Sequence, residues 1–498
     1  MKHNGMSYFP ATIPSGAKLF HGTPFENNSV KGMEWLAFDQ TFAYMYTGIP
    51  RDGDCYEGDW TALGSMTSRL ENNDLNHRDQ QQQRRPPSGW DDCPPIDYSP
   101  GYLQTYTTTR PLSVLYIDGL SGVKTDRGTI DSQDLVLLNR SSKDFSLSDI
   151  KRATDLCSIA QDEWDGRIDG FVRANFGFEV ILCEFEGAVA LTDSTRAGRG
   201  GFAPPYVSKA ASWMMIFDLY KCVKNQFWGL GREKMKVDFE RMVSVYAVEG
   251  VDVWVNGTEN QPRLTNMGNK QKVEVRKRLS EMILGRDTPD DARETMLGKG
   301  KGEAIATVDW QVIVDAIVSY YSERLFDYAY GDDPFLSTPS LMWENLNLLI
   351  RNFVNHDRRN AEQEIRRCTD LFIPSTYRPT ISATAVSQVL KQICTTILEA
   401  EAILSHPLHH DSRPTAQKPI TFSHHQNDDQ IVLGRFRRLF RTLLEELSWP
   451  IHKVCRGCKS NEVCFTAVFP FGTAEDLQTP SCKNIEGTVR RFAVGYWF

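Results

Sequence analysis

The chain has 498 residues, of which 41% are hydrophobic and 24% charged, with a net charge of -8. That length allows more than one core, and the composition excludes both a disordered chain and one built around an apolar membrane span. The acidic balance argues against a protein coated with nucleic acid, although it leaves room for a local basic surface.

In chain order, residues 17–48 alternate apolar stretches with turn residues, and GMEWLAFDQTFAYMYTG (32–48) reads as a strand passing into a helix. Residues 71–98 form a polar insertion rich in Gln, Arg and Pro, which predicts a loop or disordered segment. From 101 to 190 the signals are strands, with YLQTYTTTRPLSVLYIDG rich in β-branched and aromatic residues and GFEVILCEF a compact apolar run. A helix is predicted between them, over 145–166. After about 205 the pattern turns helical: VDWQVIVDAIVSYYSERLFDY (308–328) puts Val314, Ile317, Val318, Tyr321 and Leu325 on one face. Further helices are predicted at 338–355, 357–372, 383–405 and 430–448. A loop over 406–429 carries His406, His409, His410, His424 and His425; such a polar run suits metal or plain solvation.

The expected fold class is α+β: a mixed sheet region over 1–200, a mainly α-helical domain over 205–450, and a Cys-containing tail over 451–498. Eleven cysteines spread over a long chain read as mostly buried free thiols rather than a disulfide scaffold. The opening stretch MKHNGMSYFPATIPSG lacks the apolar core and cleavage site of a secretory signal. The expectation is a cytoplasmic protein with no membrane partner. In the tail, Cys455 and Cys458 have spacing suited to one tetrahedral metal, with Cys464 and Cys482 completing four thiols. The second pair lacks the matching gap, and a thiol cluster or a disulfide explains the spacing about as well.

KLFHGTP (18–24) sets His21 in a turn after a short strand, and Glu179 lies in GFEVILCEF. This order is similar to the opening of ADP-ribosyltransferase domains, which implies a nucleotide-holding His21 and a strand-borne catalytic Glu179 acting on NAD. The plain alternative is a structural His turn and a half-buried Glu. Basic residues gather in 269–279, in 356–367 and in GRFRRLFRTLLEEL (434–447), where Arg435, Arg438 and Arg441 fall on one helical face. They suit a phosphate backbone, or a solvated face partly neutralised by Glu445 and Glu446.

GRDTPDDARETMLGKGKG (285–302) crowds Asp290, Asp291 and Glu294 together. Thr288 and Pro289 before them are good helix-start residues, and acidic side chains suit a first helical turn. On a helix all three carboxylates converge, and like charges that close call for a cation: a metal, an ammonium or a guanidinium. A carboxylate there can also serve as general base. The Asp-Asp-x-x-Glu stretch resembles the characteristic motif of fungal arginine-containing cyclodipeptide synthases. The resemblance implies an enzyme that takes arginine from Arg-tRNA and a second amino acid from another aminoacyl-tRNA and joins them as a cyclic dipeptide for secondary metabolism. Aminoacyl esters are already activated, and the chain has no Gly-x-x-x-x-Gly-Lys-Ser/Thr loop, so no cofactor is expected. A non-catalytic binding protein that keeps an inherited N-terminal fold is the reading from another class.

Overall fold

The computed structural model describes residues 2–23, 25–26, 30–47, 101–140, 149–197, 218, 220–223, 234–254, 261–285, 308–355, 357–373, 379–405, 426–455, 457–469, 471–484 and 496–497. The fold is α+β. The predicted 71–98 insertion and residues 406–425 of the histidine loop lie outside the described residues, while 426–429, expected in that loop, already belong to the following helix.

The N-terminal half is organised by one large, curled, mixed sheet. Its strands are β1 (Asn4–Ile13), β2 (Lys18–Thr23), β3 (Glu34–Ala37), β4 (Tyr102–Thr108), β5 (Leu112–Gly119), β6 (Gly170–Ala174), β7 (Phe178–Leu182), β8 (Val189–Arg196), β9 (Lys236–Val237) and β10 (Val243–Ser244). They run in the order β10-β1-β5-β6-β7-β3-β2-β4-β8, with β9 also on β1. Only β5 and β6 pair in parallel; the other pairings are antiparallel. Parallel partners need a long crossover, and helix α2 (Asp149–Asp162) lies on that connection.

Both faces of this sheet are covered, so its central strands are continuously apolar rather than alternating. The pleat then sorts them between two cores. Met6, Tyr8, Leu115, Ile117, Phe171 and Ile181 face one, where Ala153, Leu156 and Ala160 of α2 pack. Ile13, Leu19, Leu36, Tyr106, Val114, Val180 and Leu182 face the other. Helix α1 (Gln40–Tyr44) follows β3 and is capped by Asp39, whose carboxylate accepts from the amides of Thr41 and Phe42. Its chain comes so close to β2 that a Cβ on Gly22 would sit 2.1 Å from the Ala43 carbonyl oxygen.

The chain divides into two compact units, residues 306–453 and residues 2–305 with 454–498. The expected boundary near 200 therefore shifts. Helix α3 (Asn269–Leu284) has an apolar face of Val275, Leu279 and Met282 that fills the first core of the sheet, which ties this stretch to the N-terminal unit. The tail is not separate either. It carries a hairpin of β11 (Glu462–Phe465) and β12 (Ser481–Asn484) and a short helix α9 (Ala474–Gln478), and it folds with the N-terminal unit.

The helical unit contains α4 (Trp310–Tyr330), α5 (Pro339–Ile350), α6 (Ala361–Asp370), α7 (Ile381–Ser405) and α8 (Gln426–Leu447). Each predicted helix is present. Thr338 caps α5 with Pro339 in the first turn, the position where a missing amide costs least. Ile317, Tyr321 and Leu325 of α4 meet Leu346, Ile393, Ile397, Phe436 and Phe440 in one core, where truncating either phenylalanine to Ala would cost about 3–5 kcal/mol. Val314, expected on the buried face, is exposed instead.

The cysteines correct the free-thiol expectation. Among the described residues, Cys157–Cys183, Cys368–Cys394, Cys455–Cys464 and Cys458–Cys482 are disulfides, and only Cys222 is a free, buried thiol. The first joins α2 to the residue after β7, and the second joins α6 to α7. Sequence spacing missed them because each of these two pairs is 26 residues apart and brought together only by helix packing. No helix among the described residues is long and apolar enough to cross a membrane.

One seam joins the first residues of the chain to the tail. Asn4 donates through Nδ2 to the carbonyls of Arg127 and Pro262, so its Oδ1 is left to accept from His3 Nδ1, 2.7 Å away. His3 Nε2 then accepts from the Tyr496 hydroxyl at 2.5 Å. This arrangement suits the neutral ring, and burial pulls its pKa down from 6.5 to about 4. The unfolded chain takes up the proton first, so this contribution to stability is complete above the ordinary histidine range and is lost as pH falls from about 6.5 toward 4, by up to about 3 kcal/mol. Urea unfolding of wild type and His3→Gln across that range is expected to show a shallower pH slope in the variant; parallel slopes would refute it.

Candidate functional site

The most concentrated chemistry among the described residues lies at the junction of β6, β7 and the start of α2. The hairpin between β6 and β7 turns tightly, with the Asn175 amide donating to the Gly177 carbonyl, and this sets Arg173 directly opposite Glu179. Adjacent side chains on one face of a strand pair are within easy reach. Arg173 is fully buried. Its Nε and Nη2 donate to Glu179 Oε1, its Nη1 to Gln133 Oε1 at 2.9 Å, and its Nη1 and Nη2 to the two oxygens of Asp149 at 3.2 and 2.9 Å. All the guanidinium hydrogens are used.

Around this centre the charges continue. Lys124 Nζ stands 3.4 Å from Asp149. Gln133 belongs to a π-helical turn, Ser132–Leu137, whose next residue, Asp134, receives Arg152 Nε at 3.1 and 3.0 Å. π-turns are uncommon and often re-aim side chains at sites. Here the turn aims two successive polar residues at two different guanidinium groups. Gly122 closes the cluster from the side, since a Cβ there would meet Glu179 Oε1 at 2.9 Å.

The three carboxyls respond differently. Burial opposes ionisation of Asp149, but Arg173 and Lys124 outweigh it and hold this carboxyl well below the usual range. Burial pushes Glu179 up, and the neighbouring Asp149 charge adds to that, against the pull of Arg173. Burial likewise raises Asp134 despite Arg152. A buried glutamate held above its ordinary range is a chemically tuned group. Yet two of the five Arg173 hydrogen bonds fall on it, so the geometry describes a buried ion lattice first.

The sheet register separates the pair expected for NAD. Phe20, Ala37 and Glu179 line up across β2, β3 and β7, and paired residues share a face. His21 is therefore on the other face, where it pairs in register with Gln104, packs its ring against Tyr106 and directs Nδ1 to the Trp35 carbonyl at 2.8 Å. His21 and Glu179 do not form one site. A cavity of about 420 Å³ lined by Lys18, Phe20, Phe38, Asp39, Thr41 and Lys234 contains neither.

Asp290, Asp291 and Glu294, with Thr288 and Pro289, lie outside the described residues, three and more positions beyond Gly285, the left-handed C-cap of α3. The basic segments are largely engaged. On α3, Arg276 pairs with Glu163, Arg278 with Glu274 and Lys277 with Glu281. Beside α6, Arg359 bridges Glu364 and Glu401. On α8, Arg441 Nε donates to the Ala329 carbonyl at 3.0 Å and stacks over Tyr330, and Arg437 donates to the Gly331 carbonyl at 2.6 Å. Two cations thus sit at the negative end of α4. Arg435 and Arg438 remain exposed on α8.

The tail cysteines predicted as metal ligands or thiols are the two crossed disulfides described above. Sequence reasoning missed Arg173, Asp149, Gln133 and Arg152; the one readable trace was an Arg and a Glu on either side of Ala-Asn-Phe-Gly-Phe. Replacing Arg173 by Met is expected to leave two buried carboxylates without their main counter-charge and to cost about 3–5 kcal/mol in urea unfolding, with part of the loss recovered when Glu179→Gln and Asp149→Asn are added. A loss below about 1 kcal/mol would show that Lys124 alone balances the lattice.

The comparisons with known proteins bear on the same half of the chain. The family described as the YPL277C N-terminal domain matches residues 1–198. The chain is 31% identical over 224 residues to the uncharacterized protein YOR389W of Saccharomyces cerevisiae, an alignment covering 42% of this chain and 33% of that one. It is 30% identical over 224 residues to the uncharacterized protein YPL277C of the same yeast, covering 42% of this chain and 43% of that one. The chain thus spans less than half the length of these relatives. No solved structure matches it.

Proposed function

We propose that the chain is an aminoacyl-tRNA-dependent synthase that condenses arginine, delivered by Arg-tRNA, with a second tRNA-borne amino acid into a cyclic dipeptide. The observation that carries this reading is the sequence Asp290-Asp291-Ala-Arg-Glu294. Three carboxylates at that spacing converge if the segment is helical, and a guanidinium is a cation whose planar fork suits them. Two peptide bonds form from two activated esters, so the needs are capture of tRNA, a pocket for arginine, and a base for the attacking amines. Glu294 is assigned as base, because its longer side chain reaches further and two neighbouring Asp charges raise its proton affinity. Asp290 and Asp291 are assigned to the guanidinium. The described cations best suited to a phosphate backbone are Arg435 and Arg438, since Arg441 is occupied with the end of α4.

The reading places the protein in the cytoplasm, where aminoacyl-tRNA is found. The secondary-metabolite assignment and the identity of the second amino acid belong to the product.

The test is the product profile of a host expressing the chain, read by mass spectrometry. Wild type is expected to yield an arginine-containing cyclic dipeptide. Asp290→Asn, Asp291→Asn and Glu294→Gln are each expected to lower its formation by roughly a hundredfold or more with circular dichroism unchanged, whereas Arg293→Gln, inside the same segment, is expected to stay within a few-fold. A helix-start role alone would change stability by only about 0.3–1 kcal/mol and leave product formation intact. Activity within a few-fold of wild type in all three carboxylate variants would refute the assignment, and a host that makes no cyclic dipeptide would favour a non-catalytic role.

A further inference from the structure

We infer that the tail carries a structural zinc site, formed by Cys455, Cys458, Cys464 and Cys482 when their two disulfides are reduced. Three observations on the tail converge on it. First, Cys464 and Cys482 are directly paired across β11 and β12, yet they are not bonded to each other. Each instead bonds to one cysteine of the preceding turn, Cys464 to Cys455 and Cys482 to Cys458. The turn therefore lies over the hairpin with one sulfur above each strand.

Second, the sulfurs of Cys455, Cys458 and Cys482 all lie within 4.8 Å of one another, and that of Cys464 is bonded to one of them. A tetrahedral zinc with thiolates at about 2.3 Å needs sulfur separations of about 3.8 Å. Breaking the two sulfur–sulfur bonds lets each pair relax outward by less than 2 Å toward that spacing, with no rearrangement of the strands. Third, the turn has features of a thiolate cradle. Gly457 adopts a left-handed φ of 75°, which lets Cys455 and Cys458 turn toward the same side, and the Cys455 amide already points at Cys464 Sγ at 3.0 Å. An amide aimed at sulfur is the kind of outer contact that supports a bound thiolate.

The conversion balances. Two dithiol molecules reduce the two disulfides, supplying four electrons and four protons and leaving as two oxidised dithiols; the four thiols then release up to four protons as they bind one Zn(II). A closed, four-cysteine site of this kind is structural rather than catalytic, because it leaves zinc no open position. The inference is independent of the synthase reading, and its test does not measure cyclic-dipeptide formation.

The test uses the full chain, purified anaerobically with a dithiol and supplied with zinc sulfate. Metal analysis is expected to give about one zinc per chain, and replacement by Co(II) to give the intense thiolate-to-metal and ligand-field bands of a tetrahedral tetrathiolate. Cys458→Ser is expected to lose both, whereas Cys157→Ser and Cys368→Ser keep both, which separates the tail from the other cysteines. A thiol oxidant is expected to release the zinc in step with loss of four alkylatable thiols. A reduced chain whose four tail thiols alkylate freely but which binds no metal overturns the inference, as does a tail that keeps both disulfides in the presence of the dithiol.

Discussion

The fold of the N-terminal unit depends on a single buried guanidinium. Arg173 uses all its N–H groups at once, on Glu179 of the next strand, on Asp149 at the start of α2 and on Gln133 of the π-helical turn. Asp149 and Gln133 belong to the crossover between β5 and β6, so the group fixes where that crossover may run over the sheet. A lysine offers only three donors on a flexible stem and could not satisfy the same acceptors. The cost of burying the charges is large, and it is recovered only because the geometry is complete. This explains why neighbouring space is so restricted that Gly122 admits no side chain.

Much of the architecture was legible because it follows periodicity. The amphipathic spacing of Ile317, Tyr321 and Leu325, the Thr338-Pro339 helix start and the apolar run of GFEVILCEF each announce their element from local sequence, and the α+β division follows from their order. Three things were not legible. Residues 269–284 carry a basic exposed surface that obscures the buried row of Val275, Leu279 and Met282, so their allegiance to the sheet is invisible without knowing what lies opposite. The disulfides depend on distances that the sequence does not contain. The opposition of His21 and Glu179 depends on register, where a shift of one residue reverses every side chain.

The charged segments show the same lesson from another side. In sequence, three clusters of Lys and Arg look like one property repeated. In three dimensions they are separate solutions to local problems: α3 pairs its cations with acids one turn away or just beyond α2, Arg359 neutralises the nearly buried Glu364 and Glu401, and Arg437 and Arg441 terminate α4. Arg435 and Arg438 remain exposed, as do Lys270 and Arg358 of the other clusters, and a functional reading that needs a polyanion has to rest on this smaller set. The carboxylates of 290–294 are argued from the sequence, so the proposed chemistry and the described architecture meet only at the end of α3.

The division into units also governs how the chain is made. The helical unit is one continuous stretch, so it has every residue it needs once 453 has left the ribosome. The sheet unit is discontinuous: its seam at His3 waits for Tyr496 and Trp497, which are synthesised only after the whole helical unit. A chain that stalls or is cut after residue 453 would therefore possess a finished helical unit and an open first unit, with the hydrophobic surface beneath the tail exposed. Quality control acting on such a chain would read the N-terminal unit, not the helices, as unfinished, although most of that unit was translated before them.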